Sequence, residues 1–77
     1  MVAISNFQKA ILVFKTNIRK QQKASIVNLL STFKDIIKID FDFEDRDNIM
    51  RVEAIHNISP QIEFLLNVEG FECQELH

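Results

Sequence analysis

Hydrophobic and polar residues alternate in three stretches of the chain, which is typical of strands that bury one face. The first stretch, Lys9–Ile18, predicts a central strand, β1. The second, Ile37–Glu44, predicts β2 with one face in water, and the third, Met50–Ile55, predicts β3. A polar segment at 45–48 joins the last two as a hairpin turn. The residues that share one face of each strand are Leu12, Phe14, Thr16, Ile18, Ile37, Ile39, Phe41, Phe43, Met50, Val52 and Ala54.

Two other segments have the spacing of amphipathic helices. The segment from Lys20 to Phe33 predicts α1, with apolar positions at Ile26, Val27, Leu30 and Phe33. A second helix, α2, is predicted to begin at Ser59, whose hydroxyl caps the helix while Pro60 takes its first position. Gly70 ends α2 as a left-handed cap, and Phe71–Leu76 predicts a last strand, β4. The inward stripe of α2 is Ile62, Leu65 and Leu66.

The order of these elements is βαββαβ, which predicts an α+β fold of the ferredoxin-like type. Right-handed crossovers place both helices on one face of a four-stranded antiparallel sheet. The other face of the sheet is left to solvent or to a partner. With 77 residues, the chain is expected to form one domain, residues 1–77.

Charge is distributed unevenly, although the net charge is only −2. Up to Lys38 the chain has seven basic residues and one acid, Asp35, whereas the remainder has ten acids and two bases. The two parts therefore carry charges of +6 and −8. Such a chain suits a charged partner, or pairing with itself as a homodimer that weakens in salt. The alternative interpretation is that these charges form the solvated faces of a small domain.

Composition argues against several classes of function. Cys73 is the one cysteine, so an intramolecular disulfide is impossible, and we expect a cytoplasmic protein. The apolar run Ala10–Phe14 is too short for a membrane span, so no membrane insertion is expected. A sandwich of this size offers no cleft for catalytic residues, which argues against an enzyme. Residues 48–55 lack the exposed aromatics of RNA-recognition domains, so we expect no nucleic-acid partner.

The span from Phe14 to Leu76 resembles a heavy-metal-associated domain of the copper-chaperone type. Phe14–Ile18 is similar to the strand that leads into that family's metal loop, with Ile18 matching a buried residue just before the first cysteine. Asp40–Asp42 and Asp47–Val52 resemble its β2–β3 hairpin, and Glu69–Phe71 resembles the end of its second helix. The resemblance implies the fold named above.

The functional motif of the family is absent. Its two cysteines, spaced C-x-x-C, would fall at Lys20 and Lys23, or at Arg19 and Gln22 in the other possible register. Ammonium and guanidinium groups do not bind soft metals at neutral pH. We therefore expect no metal ligand in this loop and no cofactor.

We name the basic loop as the candidate site; it consists of Asn17, Ile18, Arg19, Lys20 and Lys23. Its three cations gather where the free N–H groups and the dipole of α1 add positive potential, so the loop suits an anion or an acidic protein partner. A lysine ammonium could also occupy the place of the family's bound cation. The alternative interpretation is a loop that lost its metal ligands and now carries solvated basic residues.

A rival interpretation keeps metal binding through other ligands, for example Cys73 with His77 across a dimer interface. If the domain does not bind metal, Cys73 is interpreted as a small apolar residue of the core or sheet edge. His56 and His77 are separated by α2, and neither has a second ligand at the spacing of a metal site. The acids at 40–47 follow a strand rather than a calcium loop and predict a solvated sheet edge.

Overall fold

A computed structural model of the chain describes residues 9–44 and 46–76. The predicted βαββαβ order is confirmed, with one 3₁₀ turn before the first helix. Of the predicted positions, Asp45 in the hairpin turn and His77 at the end lie outside the described residues. The elements are β1 (Ala10–Thr16), the 3₁₀ turn (Lys20–Gln22), α1 (Lys23–Leu30), β2 (Ile36–Asp42), β3 (Ile49–Ala54), α2 (Ser59–Val68) and β4 (Cys73–Glu75).

The four strands form one sheet in the order β2-β3-β1-β4, and every neighbouring pair is antiparallel. β1 is therefore central, as its apolar pattern predicts. It pairs with β3 so that Leu12 lies opposite Val52 and Phe14 lies opposite Met50. All four of these side chains are buried, because the pleat points them to the same face of the sheet.

Both helices cover this face of the sheet. Ile26 and Leu30 of α1 and Ile62 and Leu66 of α2 have no exposed surface and join the inward residues of the strands in one core. Burying such a side chain stabilises the fold by about 1.5–3 kcal/mol. The ferredoxin-like α+β architecture is thus held together by the apolar face of each predicted element.

The edge strand β2 differs from its prediction. A register shift between Ile36 and Lys38 lets Ile36 pair with Ala54 and contact the core, while Ile37 is 51% exposed. The predicted inward position of Ile37 is therefore wrong. Strict alternation cannot reveal such a bulge, because the extra residue shifts every earlier side chain to the other face.

The helix boundaries also need correction. α1 ends at Leu30, so Phe33 packs on the core from beyond the helix. The partly buried residue beside Ile26 and Leu30 is Leu29, whereas the prediction named Val27. Val27 is 39% exposed, because it lies about 100° around the helix from Ile26.

The start of α2 is capped differently from the prediction. The hydroxyl of Ser59 is buried without a hydrogen-bond partner among the described residues, and Asn57 Oδ1 instead accepts a hydrogen bond from the Ser59 N–H at 2.9 Å. The predicted serine cap is therefore wrong, while Pro60 does lie in the first turn. At the other end Gly70 has a φ of 94°, which confirms the left-handed cap.

Candidate functional site

The basic loop connects β1 to α1, and its residues have two different environments. Ile18 is completely buried, as the resemblance implies for the residue before the metal loop. Asn17, Arg19, Lys20 and Lys23 are exposed. Ile18 therefore anchors the loop in the core while its charged neighbours face outward.

Thr16 ties the basic loop to the β2–β3 hairpin. Its buried hydroxyl donates to the Asn48 carbonyl at 2.6 Å and accepts from the Ile18 N–H at 3.1 Å. The Thr16 N–H also donates to the Asp47 carbonyl at 3.1 Å. This residue was missed as part of the site, although one polar side chain in the core-facing series of β1 was a signal that could have found it.

Asn17 ties the loop to the segment that follows α2. Its Oδ1 accepts from the Glu72 N–H at 2.9 Å, and its own N–H donates to the Glu72 carbonyl at 3.3 Å. The start of α1 therefore lies beside the end of α2. Together with Thr16, Asn17 gives the loop fixed attachments on both sides.

The cations themselves stand at the beginning of α1. Arg19 and Gln22 bracket the 3₁₀ turn: the Arg19 N–H donates to Gln22 Oε1 at 2.9 Å, and the Gln22 N–H donates to the Arg19 carbonyl at 2.8 Å. No acidic side chain lies in the first turn of α1. Lys20 and Lys23 therefore add positive charge to a helix end that is already positive, which disfavours the helix slightly.

Arg19 and Lys20 also line an open cleft of about 620 Å³ against the end of β2. The opposite wall carries Asp42 and Glu44 together with Phe41 and Phe43, whose stacked rings have centroids 5.1 Å apart. We call this the mixed-charge cleft. The sequence analysis identified only the cations of the loop, whereas the fold also brings the carboxylates of Asp42 and Glu44 to the same cleft.

On its other side the loop continues into a shallow depression along α1. This surface is mostly apolar at its centre and basic at its start; it is called the α1 groove and consists of Lys20, Gln21, Lys23, Ala24, Val27, Asn28 and Ser31. Lys20 and Lys23 therefore border an apolar strip that has no acidic residue.

Cys73 is buried opposite Thr16 in the β1–β4 pair. Burial, and secondarily the nearby Glu63 carboxylate, raise the pKa of its thiol to about 12. The thiol therefore stays protonated at neutral pH, which disfavours metal binding and nucleophilic attack. This agrees with the prediction that Cys73 is a small apolar residue.

In the part of the chain that the structure describes, the side chains are not grouped as a metal site. His56 lies at the opposite end of the sheet, near Asp35, with its Nε2 3.0 Å from Asp35 Oδ2. Among residues 9–44 and 46–76, no three His, Cys, Asp or Glu side chains are grouped to hold a metal ion. The donor set of the basic loop thus does not fit the soft metals of the family it resembles.

Neither helix in the described part of the chain has the length and apolar character needed to span a bilayer.

Comparisons with known proteins support the fold. No protein-family model and no curated protein matches the chain. Among solved structures, the chain is similar to the solution structure of the N-terminal domain of ZntA in the apo-form, with a TM-score of 0.76. The two share 14% sequence identity over 91% of this chain and 96% of that chain. The chain therefore has a fold like that of a heavy-metal-associated domain.

Proposed function

We propose that this chain is a heavy-metal-associated-type domain without metal-transfer activity, and that it serves as a small protein-interaction module. The observation that carries the proposal is the basic loop, which presents exposed cations where the resembled family has its two cysteines. The loop is anchored by Ile18, Thr16 and Asn17, so its cations project from a fixed base. A fixed charged surface favours selective contact with a complementary partner.

The proposed partner is an acidic protein surface rather than a small anion. An anion in the mixed-charge cleft would meet Asp42 and Glu44 as well as Arg19 and Lys20. The α1 groove has no acidic residue, and its basic start and apolar centre suit a surface with carboxylates beside apolar side chains. Lys20 and Lys23 would then contact the partner's carboxylates.

A non-catalytic role in the cytoplasm is part of this proposal. The residues that line the mixed-charge cleft include no Ser, Thr, Cys or His, so the cleft lacks the pairs used for nucleophilic catalysis. The free, buried thiol of Cys73 suits a reducing compartment.

Metal titration of the reduced, tag-free protein is the first test. Competition with chromogenic Cu(I) and Zn(II) chelators, together with mass spectrometry under non-denaturing conditions, should detect no binding above background. Uptake of one equivalent per chain or per dimer that disappears in Cys73→Ser would contradict the proposal. That result would favour the rival carrier, which uses Cys73 and His77.

Two gain-of-function variants supply the matched control. Lys20→Cys/Lys23→Cys and Arg19→Cys/Gln22→Cys each restore a C-x-x-C spacing in one of the two registers. We expect at least one variant to bind one equivalent of Cu(I), because two thiolates on an anchored loop form a suitable soft site. Failure of both variants would mean that the loop is not the equivalent of the family's metal loop.

Partner contact is tested separately with a synthetic acidic amphipathic peptide. Binding should weaken about tenfold in Lys20→Gln/Lys23→Gln, whereas the distant Lys38→Gln should leave it unchanged. Equal binding by all three proteins would contradict a role for the basic loop.

A further inference from the structure

The outward face of α2 carries the most exposed large apolar side chains of the described residues. Phe64 is 72% exposed and Val68 is 63% exposed, and they follow Pro60 at intervals of four residues. This spacing places the three side chains in one line on the helix; we call this line the α2 ridge. Exposed apolar side chains that adjoin on one helix face form a contiguous patch of the kind that marks a protein interface.

The charges around the two helices are opposite in sign. Residues 17–34 contain Arg19, Lys20, Lys23 and Lys34 but no acid. Residues 59–72, which comprise α2 and the segment after it, contain three glutamates and no lysine or arginine. The α1 groove is therefore apolar with a basic start, whereas the α2 ridge is apolar with the exposed acids Glu69 and Glu72 beyond its end.

The two surfaces also match in register. The hydrogen bonds between Asn17 and Glu72 place the start of α1 beside the end of α2, so the helices run antiparallel. Val27 lies four residues beyond Lys23 on α1, and Phe64 lies four residues before Val68 on α2. At 1.5 Å per residue, each pair spans about 6 Å measured from the same end of the molecule.

From this match we infer that the chain forms a two-fold homodimer through its helical layer, with the α2 ridge of each subunit in the α1 groove of the other. The two-fold axis runs parallel to the helices, because only this direction keeps the basic start of α1 next to the acidic end of α2 in both contacts. Phe64 then packs near Val27, and Glu69 lies near Lys20 and Lys23. The contact is self-complementary and therefore closes as a dimer.

The inference rests on the proposed function in that it names the acidic, apolar partner of the α1 groove as a second copy of the chain. It also implies competition, because the acidic peptide and the second copy use the same two lysines. Dimerisation would thus decrease access to the basic loop as protein concentration rises.

A charge exchange between two variants provides the decisive test. Lys20→Glu/Lys23→Glu makes α1 acidic, and Asn67→Lys/Glu69→Lys makes α2 basic. Each variant alone should associate about tenfold more weakly than the unchanged chain, because like charges then face each other in both contacts. An equimolar mixture should recover the dimer, since each α1 again meets an α2 of opposite charge.

Sedimentation velocity from micromolar to millimolar concentration measures these states. Recovery only in the mixture supports the proposed pairing of α1 with α2. A mixture that stays monomeric while the unchanged chain dimerises would overturn it, because another surface would then carry the contact.

Apolar substitutions on opposite faces supply a control that does not depend on charge. Phe64→Gln should weaken the dimer about tenfold or more, as expected for a central anchor. Ile11→Gln lies on the uncovered face of the sheet, where Ile11 is 52% exposed, and should have no effect. The reverse result would overturn the inference and place the interface on the sheet.

The tests separate this inference from the proposed function. A chain that is monomeric at every concentration, yet binds the acidic peptide through Lys20 and Lys23, overturns the dimer and leaves the proposed function standing. A dimer that passes the charge exchange but takes up one equivalent of metal supports the inference and contradicts the proposed function.

Discussion

The two helices bury similar apolar faces against the core, but the exposed charges beside them are opposite in sign. α1 and α2 each bury two fully covered apolar residues against the sheet. Outside, α1 begins with Lys20 and Lys23 nearby, whereas α2 is followed by Glu69. Each charge stands at the helix end where the dipole disfavours it.

This contrast teaches that the outward charges are not arranged for the stability of their own helices. A helix optimised for stability would carry acids at its start and bases at its end. Both helices reverse this rule, and they do so at the same end of the molecule. Departures from local optimisation often accompany function, which is why both proposals use these charges.

The largest expected effect concerns the shared inward role. Ile26→Ala in α1 and Ile62→Ala in α2 should each lower the free energy of unfolding by about 2–5 kcal/mol, because both residues are fully buried. The outward controls Val27→Ala and Val68→Ala should change it by less than about 0.5 kcal/mol. Urea denaturation measures these differences. If Ile26→Ala had no larger effect than Val27→Ala, α1 would not pack on the core as described.

The second effect concerns the buried thiol of Cys73 on β4, which should make the free energy of unfolding depend on pH at alkaline pH. Burial raises the pKa of the Cys73 thiol to about 12 in the native state, whereas the ordinary pKa of 9.0 applies to the unfolded chain. The contribution of the thiol to the free energy of unfolding is therefore complete below about pH 9 and is lost between about pH 9 and pH 12, by about 1.4 kcal/mol per pH unit. Denaturation curves at increasing pH should show this loss.

Cys73→Ala is the control for the alkaline effect. The variant lacks the thiol, so its stability should fall less steeply between about pH 9 and pH 12 than that of the unchanged chain. Parallel curves for the two proteins would mean that the thiol is not held protonated by burial.

The third effect compares the two helix ends. Gly70 after α2 has a φ of 94°, and an added Cβ would meet no atom within 4 Å, so Gly70→Ala tests backbone strain alone. The expected loss is about 1–2 kcal/mol. The residue that follows α1 is Ser31, whose φ of −66° suits any residue, so Ser31→Ala should cost only a few tenths of a kcal/mol. Thermal unfolding would show whether the two losses differ.

The smallest effect tests the reversed charges directly. Lys23→Glu at the start of α1 and Glu69→Lys at the end of α2 should each stabilise the monomer by about 0.3–1 kcal/mol, because each then complements the helix dipole. The gain should shrink in high salt. Destabilisation by either variant in dilute protein would show that the original charges support their own helices. The measurement is chemical denaturation at low protein concentration, where any dimer has dissociated.

Much of the fold follows from local patterns. The alternation in β1 and β3, the stripe of α2 and the glycine cap at Gly70 are confirmed because each depends on a few neighbouring residues and one apolar face. One failure was local, since Asn57 rather than Ser59 supplies the side-chain hydrogen bond at the start of α2. The other failures occurred where a nonlocal contact decided the outcome. The bulge at Ile36 and Lys38 depends on pairing with β3, and the margin of α1 depends on how that helix lies on the sheet.

The candidate site divides in the same way. The missing cysteines and the clustered cations could be read from the sequence, since charge and metal-ligand chemistry belong to residue types. The attachments of Thr16 and Asn17 could not be predicted, because their partners Asn48 and Glu72 are 32 and 55 residues away. Nor could local spacing reveal that Asp42 and Glu44 share a cleft with Arg19.

The amino-acid sequence by itself determined the element order, the buried face of the central strands, the single thiol and the opposite charges of the two parts of the chain. Periodicity and residue chemistry are local properties, so they can be recognised in the sequence without the tertiary structure. The tertiary structure alone decided which outward surfaces adjoin: the carboxylates across from Arg19, the apolar centre of the α1 groove and the exposed α2 ridge. These surfaces depend on how the helices cross a twisted sheet, and the separation of residues along the chain does not predict that arrangement.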